Sequence, residues 1–279
     1  SGKKILCLDP DGEYEDLTNA LGGCYIDFMS GKYKINPLEP KAWNEQAELA
    51  GNSHTNIDSK IDFDSCEEDL HIPEAFTKVT RLSQHIAFLK DFFRTYKDFT
   101  DAQLDTIEIL LMKLYARFGI TDSTDYSAKK PSDFPVMSDF YDILMAQPED
   151  EAKDIALSLE LFVNGSLNIF NHQTNVDVDN RFTVYGIRDL GTELSPITML
   201  VMMESIQNRI VENGKRGKAT WLYIDEFHVL LNSEYSAKYL QQLWKKVRKQ
   251  GGLCTGITQN VVDLLQNYTA TTMLANSEF

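Results

Sequence analysis

The feature that most constrains the fold is an apolar, aromatic and β-branched run that stops at two adjacent carboxylates. Residues 221–231 read Trp-Leu-Tyr-Ile-Asp-Glu-Phe-His-Val-Leu-Leu, and the carboxylates are Asp225 and Glu226. The stretch 221–224 has the composition of a buried parallel strand, so both acids should emerge at its carboxyl end, where open α/β sheets bind ligands. There, Asp225 could hold Mg²⁺ through water, and Glu226 could deprotonate a water that attacks a γ-phosphate. A strand that ends in a solvated turn would have the same local sequence.

Three further apolar runs, separated by helical patterns, predict a parallel sheet. The runs cover residues 4–8, 182–187 and 253–257, and helical patterns lie over residues 194–211 and 237–250. Alternating strands and helices are typical of a parallel sheet with right-handed crossovers. Polar side chains follow three of the four runs, and in a parallel sheet these strand ends meet at one edge. The residues that we therefore assign to one shared site are Asp9, Glu13, Asp225, Glu226, Thr258 and Gln259.

The middle of the chain predicts helices whose apolar stripes form a core. Apolar residues recur at spacings of three and four over residues 76–96 and 104–118, and residues 100–103 form a capping box between them. Two more helices are predicted over residues 138–145 and 149–162. Such stripes indicate packing rather than a cofactor site. The predicted division is a core of residues 1–69 and 166–279, an all-helical insertion subdomain of residues 70–165, and a mobile connection over residues 39–70.

The acidic balance of the chain restricts its partners. Asp and Glu number 42 against 27 Lys and Arg, and the formal net charge of −15 argues against direct nucleic-acid binding through a broad face. The one dense basic cluster, residues 245–249, also fits a solvated helix C-terminus, where cations complement the helix dipole. The four cysteines show no Cys-x-x-Cys spacing and indicate reduced thiols, and no apolar stretch approaches the ~18 to 20 residues that span a bilayer.

The five histidines show no pairing at the spacing of metal ligands. His228 follows the two carboxylates, and alternation along an extended chain would place its side chain on the opposite side from Phe227. We therefore predict a structural role for His228 and no zinc site.

Seven short motifs follow the order seen in the large ATPases of conjugation and type IV secretion systems. They are Leu-Asp-Pro-Asp-Gly-Glu-Tyr (8–14), Ile-Asn-Pro-Leu (35–38), Asn-Gly-Ser (164–166), Thr-Asn-Val-Asp (174–177), Tyr-Ile-Asp-Glu-Phe-His (223–228), Arg-Lys-Gln-Gly-Gly (248–252) and Thr-Gln-Asn (258–260). On these motifs the chain resembles a VirB-four or TraC/TraE-type ATPase, a relative of the HerA and FtsK motors. The resemblance covers nearly the whole chain and implies a RecA-like α/β core with an inserted all-helical subdomain.

The resemblance also implies roles for residues at the predicted edge of the sheet. In the intact protein, Asp225 would bind Mg²⁺ and Glu226 would act as the general base. Gln259 ends the strand next to that of Asp225 and matches a residue that reads the γ-phosphate, although a strand-terminal turn residue would have the same sequence context. Arg248 could reach the nucleotide of a neighbouring subunit as an arginine finger.

One departure from the family pattern concerns the phosphate-binding loop. No Gly-x-x-x-x-Gly-Lys-[Ser/Thr] motif occurs in the 279 residues, although a phosphate cradle needs its glycine-rich backbone, Lys and hydroxyl. In the family this loop lies just before the strand that corresponds to residues 4–8. We therefore expect a fragment that begins after the loop and lacks a C-terminal strand. It would bind ATP and Mg²⁺ through Asp9, Glu13 and Asp225 only together with the missing segment.

The function implied by the resemblance is ATP hydrolysis that energises a type IV secretion or conjugation channel. The implied partners are membrane channel proteins and further copies of the chain in a hexamer, at the cytoplasmic face of the cell membrane. Two alternatives share these sequence features: a DNA-translocating motor of the HerA or coupling-protein type, and a non-hydrolytic scaffold with vestigial site residues. A phosphate-binding loop upstream of Ser1 would separate the enzyme from the scaffold.

Overall fold

The computed structural model describes residues 2–28, 30–41, 80–176, 179–188, 191–231 and 234–259, together with residues 270, 271, 273 and 277. Its strands are β1 (Lys4–Asp9), β2 (Cys24–Asp27), β3 (Phe182–Gly186), β4 (Thr220–Ile224) and β5 (Gly252–Gly256). Its α-helices are α1 (Glu15–Ala20), α2 (Arg81–Tyr96), α3 (Asp101–Arg117), α4 (Met137–Met145), α5 (Asp150–Asn164), α6 (Gly191–Lys215), α7 (Phe227–Leu230) and α8 (Glu234–Lys246). Short 3-10 helices lie at Tyr126–Ala128, Pro131–Asp133, Asn168–Phe170 and Val247–Gln250.

The described strands form one parallel sheet in the order β2-β3-β1-β4-β5. This confirms the predicted α/β class and the four predicted strands, whose bounds differ by no more than one residue at either end. Strand β2 is missing from the prediction, because four residues at the edge of a sheet are too few to show a pattern.

Parallel pairing puts the end of every strand at the same side of the sheet, which we call the carboxyl edge. Leu8 pairs with Ile224, so Asp9 lies beside Asp225, the residue that follows β4. The opposite side, where the strands begin, is the amino edge. The sheet thus brings residues that are far apart in sequence to one line of strand ends.

The central strands are held by apolar side chains on the face that helices α6 and α8 cover. Leu6 and Leu8 of β1 and Leu222 and Ile224 of β4 are all buried. Burial of each such side chain stabilises the fold by about 1.5 to 3 kcal/mol. Helix α6 contacts both β4 and α8, so the helices that connect β3, β4 and β5 lie on the same face.

The helices predicted in the middle of the chain are present, with their apolar stripes buried. Leu82, Ile86 and Phe93 of α2 face the core. The predicted capping box opens α3: the Thr100 hydroxyl accepts from the Gln103 N–H at 3.2 Å, and the Gln103 side-chain oxygen accepts from the Thr100 N–H at 3.0 Å. Apolar periodicity and capping residues therefore suffice to place these helices.

Helices α2 to α5, which we call the helical layer, share one continuous apolar core with the sheet. Helix α2 packs on α6, and the buried His85 of α2 lies with its Nδ1 3.3 Å from Oε1 of Glu204 in α6. Burial and the charges of Lys41 and Arg81 lower the pKa of His85 to about 3, outweighing the opposing charge of Glu39. Helix α2 therefore packs closely against α6. The bounds 70–165 of the subdomain stay a prediction.

Parts of two predictions lie outside the described residues. They are the mobile connection over residues 39–70, from residue 42 onward, and the start of the apolar stripe over residues 76–96. Within the described part of the chain, none of the helices combines the length and apolar character that crossing a bilayer requires.

Phe92 provides a test of the helical core. Its fully buried ring lies 5.3 to 6.4 Å, between centroids, from four other phenylalanine rings. We expect Phe92→Ala to lower the free energy of unfolding by about 3 to 5 kcal/mol, because the substitution leaves a cavity. Leu157→Ala is the matched control, since Leu157 is 72% exposed; its effect should stay within about 0.5 kcal/mol. Urea denaturation measures both, and equal losses would contradict the packing described.

Candidate active site

Backbone hydrogen bonds that continue past the strands lock the ends of β1, β4 and β5 together. The Asp225 N–H donates to the Leu8 carbonyl at 3.1 Å. The Phe227 N–H donates to the Ile257 carbonyl, and the Ile257 N–H to the Ile224 carbonyl, both at 2.8 Å. The carboxyl edge is therefore a fixed surface. The predicted residues that lie along it are Asp9, Glu13, Asp225, Glu226 and Gln259.

Asp9 organises the turn that follows β1. Its Oδ1 accepts from the N–H groups of Gly12 at 2.9 Å and Glu13 at 3.1 Å. Its Oδ2 accepts from the Tyr14 N–H at 3.0 Å and the Tyr25 hydroxyl at 3.2 Å. A carboxylate offers about four lone-pair sites, so these four donors saturate it. Asp9 thus fixes the turn at the carboxyl edge, and Glu13 in that turn is exposed. The cofactor contacts predicted for Asp9 and Glu13 stay predictions.

Arg188 is a cation at this edge that was not among the predicted residues. It lies two residues after the end of β3 and over the turn after β1, where Gly12 adopts a φ of 75°. A Cβ atom at position 12 would lie 3.2 to 3.3 Å from the Arg188 side chain. Arg188 follows a predicted apolar run, which is the same signal that selected Asp9, so Arg188 could have been found from the sequence.

Tyr14 connects the β1 turn to the first carboxylate of the pair. The Tyr14 hydroxyl donates to Asp225 Oδ2 at 2.7 Å, and the Glu226 N–H donates to Asp225 Oδ1 at 2.9 Å. The hydrogen bond to Asp225 raises the pKa of the Tyr14 phenol, so it stays protonated and remains a donor at neutral pH. The Asp225 carboxylate is therefore fixed in orientation from two sides.

Glu226 has an unusual backbone and a held side chain. Its φ is 41°, and it is the one non-glycine residue with positive φ in the described chain. Such a conformation costs on the order of 1 to 3 kcal/mol and persists where surrounding contacts impose it. Its Oε1 accepts from Gln259 Nε2 at 2.5 Å, and its Oε2 lies 3.1 Å from His228 Nδ1. Glu226 and Gln259, which the sequence assigns separately to the same site, are thus in direct contact.

The position of His228 differs from the sequence-based expectation. Alternation along an extended chain was the wrong pattern, because helix α7 begins at Phe227 directly after the carboxylates. The helical turn brings the imidazole back to Glu226, and its Nδ1 also lies 3.5 Å from the Thr258 hydroxyl. A helix of four residues leaves no periodicity in the sequence that could have revealed this contact.

Arg248 does not join the other predicted residues. It is exposed on the 3-10 turn Val247–Gln250, which precedes β5, and the adjacent Gly251 carbonyl accepts from the Thr220 N–H at the amino edge. Strand β5 lies between the amino edge and Gln259. Its five residues span roughly 16 Å at the usual rise per residue. Action on a neighbouring subunit's nucleotide stays a prediction.

The carboxyl edge fits a hard divalent cation shared with phosphate oxygens. The described residues contain no group of three His, Cys, Asp or Glu side chains placed to enclose a metal ion. Mg²⁺, however, typically takes one or two carboxylates, substrate phosphates and water, and Asp225 supplies such an oxygen ligand. The edge is negative: burial and the charges of Asp9 and Asp225 raise the pKa of Cys7 to about 12.

Comparisons with known proteins agree with this fold. The TraG P-loop domain model matches residues 128–279, more than half of the chain. The structure of VirB4 of Thermoanaerobacter pseudethanolicus is 23% identical over 99% of this chain and 67% of that chain, with a TM-score of 0.74. The bacterial conjugative coupling protein TrwBdeltaN70 is 13% identical over 98% of this chain and 66% of that chain, with a TM-score of 0.34, which is too low to indicate a shared fold. No curated protein matches the chain.

The likeness to VirB4 establishes the RecA-like α/β architecture, with its parallel sheet and helices. The family match extends from the helical layer through β3, β4 and β5, and it includes the two carboxylates and Gln259. On that match, the chain belongs to the TraG P-loop domain family.

Proposed function

We propose that this chain supplies the metal-binding and water-activating residues of an ATP-hydrolysing motor that energises a type IV secretion or conjugation channel. The observation that carries the proposal is the contact at the carboxyl edge between Glu226 and Gln259, beside Asp225. The family assignment and the motifs shared with the VirB-four type of ATPase support it.

Each residue has a distinct part in the proposed reaction. Asp225 would hold Mg²⁺, which when bound neutralises phosphate charge. Glu226 would take a proton from the attacking water on Oε1, which keeps a lone pair beyond the contact with Gln259. Gln259 would hold the carboxylate and present its amide to the γ-phosphate. Asp9 keeps the turn in place from which Tyr14 reaches Asp225.

The phosphate cradle is the part of the proposed motor that these residues do not supply. The glycine-rich Lys-[Ser/Thr] motif of that loop does not occur in the 279-residue sequence, and isolated carboxylates repel a polyphosphate. We propose that a further segment of the full-length ATPase brings this loop to the carboxyl edge.

We propose membrane channel proteins of the secretion system as partners, and further copies of the chain in a hexamer. A peripheral location at the cytoplasmic face of the membrane, through those partners, follows from the same proposal. Arg248 is exposed at the amino edge, where a neighbouring subunit could be contacted.

Titration of this chain with nucleotide tests where the phosphates are held. We expect no binding of Mg·ATP at micromolar concentrations in isothermal titration calorimetry, because the carboxyl edge alone has no cradle. A dissociation constant in the low micromolar range, about −8 kcal/mol, would show that the nucleotide site lies elsewhere in these residues.

Substitution of the two carboxylates in the full-length ATPase tests their division of labour. We expect Glu226→Gln to keep nucleotide binding and to lower kcat by about 10² to 10⁴, because it removes the base and preserves shape. Asp225→Ala should in addition weaken Mg²⁺-dependent binding. Steady-state ATPase assays with a parallel nucleotide-binding assay separate the two effects.

Glu151→Gln is the matched control, because Glu151 is exposed on α5 and is not among the residues that follow the strands. It should hydrolyse ATP at the parent rate. If Glu226→Gln and Asp225→Ala do so as well, the pair is structural and the non-hydrolytic scaffold becomes the better account.

A further inference from the structure

Two side chains from different elements hold the carboxylate of Glu226. Gln259, after β5, contacts Oε1, and His228, in α7, lies against Oε2. We propose that His228 is a positioning residue that keeps the Glu226 carboxylate oriented to accept the proton of the attacking water. The inference rests on the proposed function, because it assigns His228 a part in the same hydrolytic site.

The backbone of Glu226 is held by hydrogen bonds, so only its side chain can change conformation. The Glu226 N–H is bound to Asp225 Oδ1 at 2.9 Å, and the Phe227 N–H to the Ile257 carbonyl at 2.8 Å. With a left-handed φ of 41° fixed between these bonds, only the side-chain torsions can move the carboxylate. A long side chain samples many rotamers unless contacts restrict it. Contacts at both oxygens are therefore what select one orientation.

His228 acts on the shielded oxygen of the carboxylate. Oε2 of Glu226 has essentially no solvent-accessible surface and no hydrogen-bond partner among the described residues, and His228 Nδ1 lies 3.1 Å away, within ion-pair distance. Gln259, by contrast, is exposed and binds Oε1. A carboxylate oxygen shielded from water needs a donor, and a proton on the nearby Nδ1 would supply one once the ring turns toward Oε2. Loss of that donor would turn the carboxylate toward solvent.

The two neighbours of His228 Nδ1 require different tautomers. A proton on Nδ1 would face Glu226 Oε2 at 3.1 Å, an ion-pair contact that lacks hydrogen-bond geometry as it stands, whereas a bare Nδ1 would accept from the Thr258 hydroxyl at 3.5 Å. The shorter distance and the negative acceptor favour the proton on Nδ1. The position of this proton is therefore a readout of the proposal that does not depend on activity.

Nitrogen NMR of this chain measures the tautomer. Long-range ¹H–¹⁵N correlation resolves the two ring nitrogens of each histidine, and His228→Asn identifies the signals of His228 by their loss. We expect the proton on Nδ1. A neutral ring with its proton on Nε2 alone would overturn the proposal.

A pair of substitutions in the full-length ATPase measures the effect on turnover. His228→Leu removes the donor at similar volume, and we expect kcat to fall by roughly 10- to 100-fold, with KM within about twofold, since His228 positions the base without binding nucleotide. His228→Asn keeps an N–H near the place of Nδ1 and should recover most of the rate. His172→Leu, the same change at an exposed histidine, is the control and should have no effect.

The outcomes distinguish this inference from the proposed function. Parent rates in both His228 variants, or equal losses in both, overturn the positioning role while Glu226→Gln remains inactive. A Glu226→Gln variant that turns over at the parent rate removes the hydrolytic function itself, whatever the His228 variants do.

Discussion

The parallel pairing of β1 with both β3 and β4 is the constraint on which the rest of the structure depends. Because the three strands run in one direction, the residues that follow them collect at a single edge. The backbone bonds from Asp225 to Leu8 and from Phe227 to Ile257 extend that order beyond the strands. An antiparallel β1 would carry Asp9 and Tyr14 to the amino edge and leave Asp225 without its phenol donor.

The elements of the fold could be predicted because each has a local signature. Apolar runs give four of the five described strands, and periodic stripes with capping residues give helices α2 to α5. The same strand-end rule selects Asp225, Glu226 and Gln259 for the carboxyl edge. Strand β2 lacked such a signature, because it is short and, among the described strands, pairs with β3 alone.

The contacts within the site could not be predicted, because they depend on tertiary placement. Tyr14 reaches Asp225 across 211 positions of sequence, and nothing local distinguishes it from any other tyrosine in a turn. His228 reaches Glu226 because the chain turns into α7 at once, whereas the apolar run before it suggested an extended continuation. Saturation of Asp9 by four donors likewise becomes visible only with the turn folded around it.

The left-handed backbone at Glu226 sets stability against activity at one position. Glycine, asparagine and aspartate adopt this conformation at lower cost than glutamate does. A glycine there would relax the backbone and is expected to make the domain more stable, yet no side chain would then meet Gln259 and His228. The residue that suits the fold best at this position is therefore one that empties the site. Screens that select for thermostability alone would therefore favour glycine at position 226.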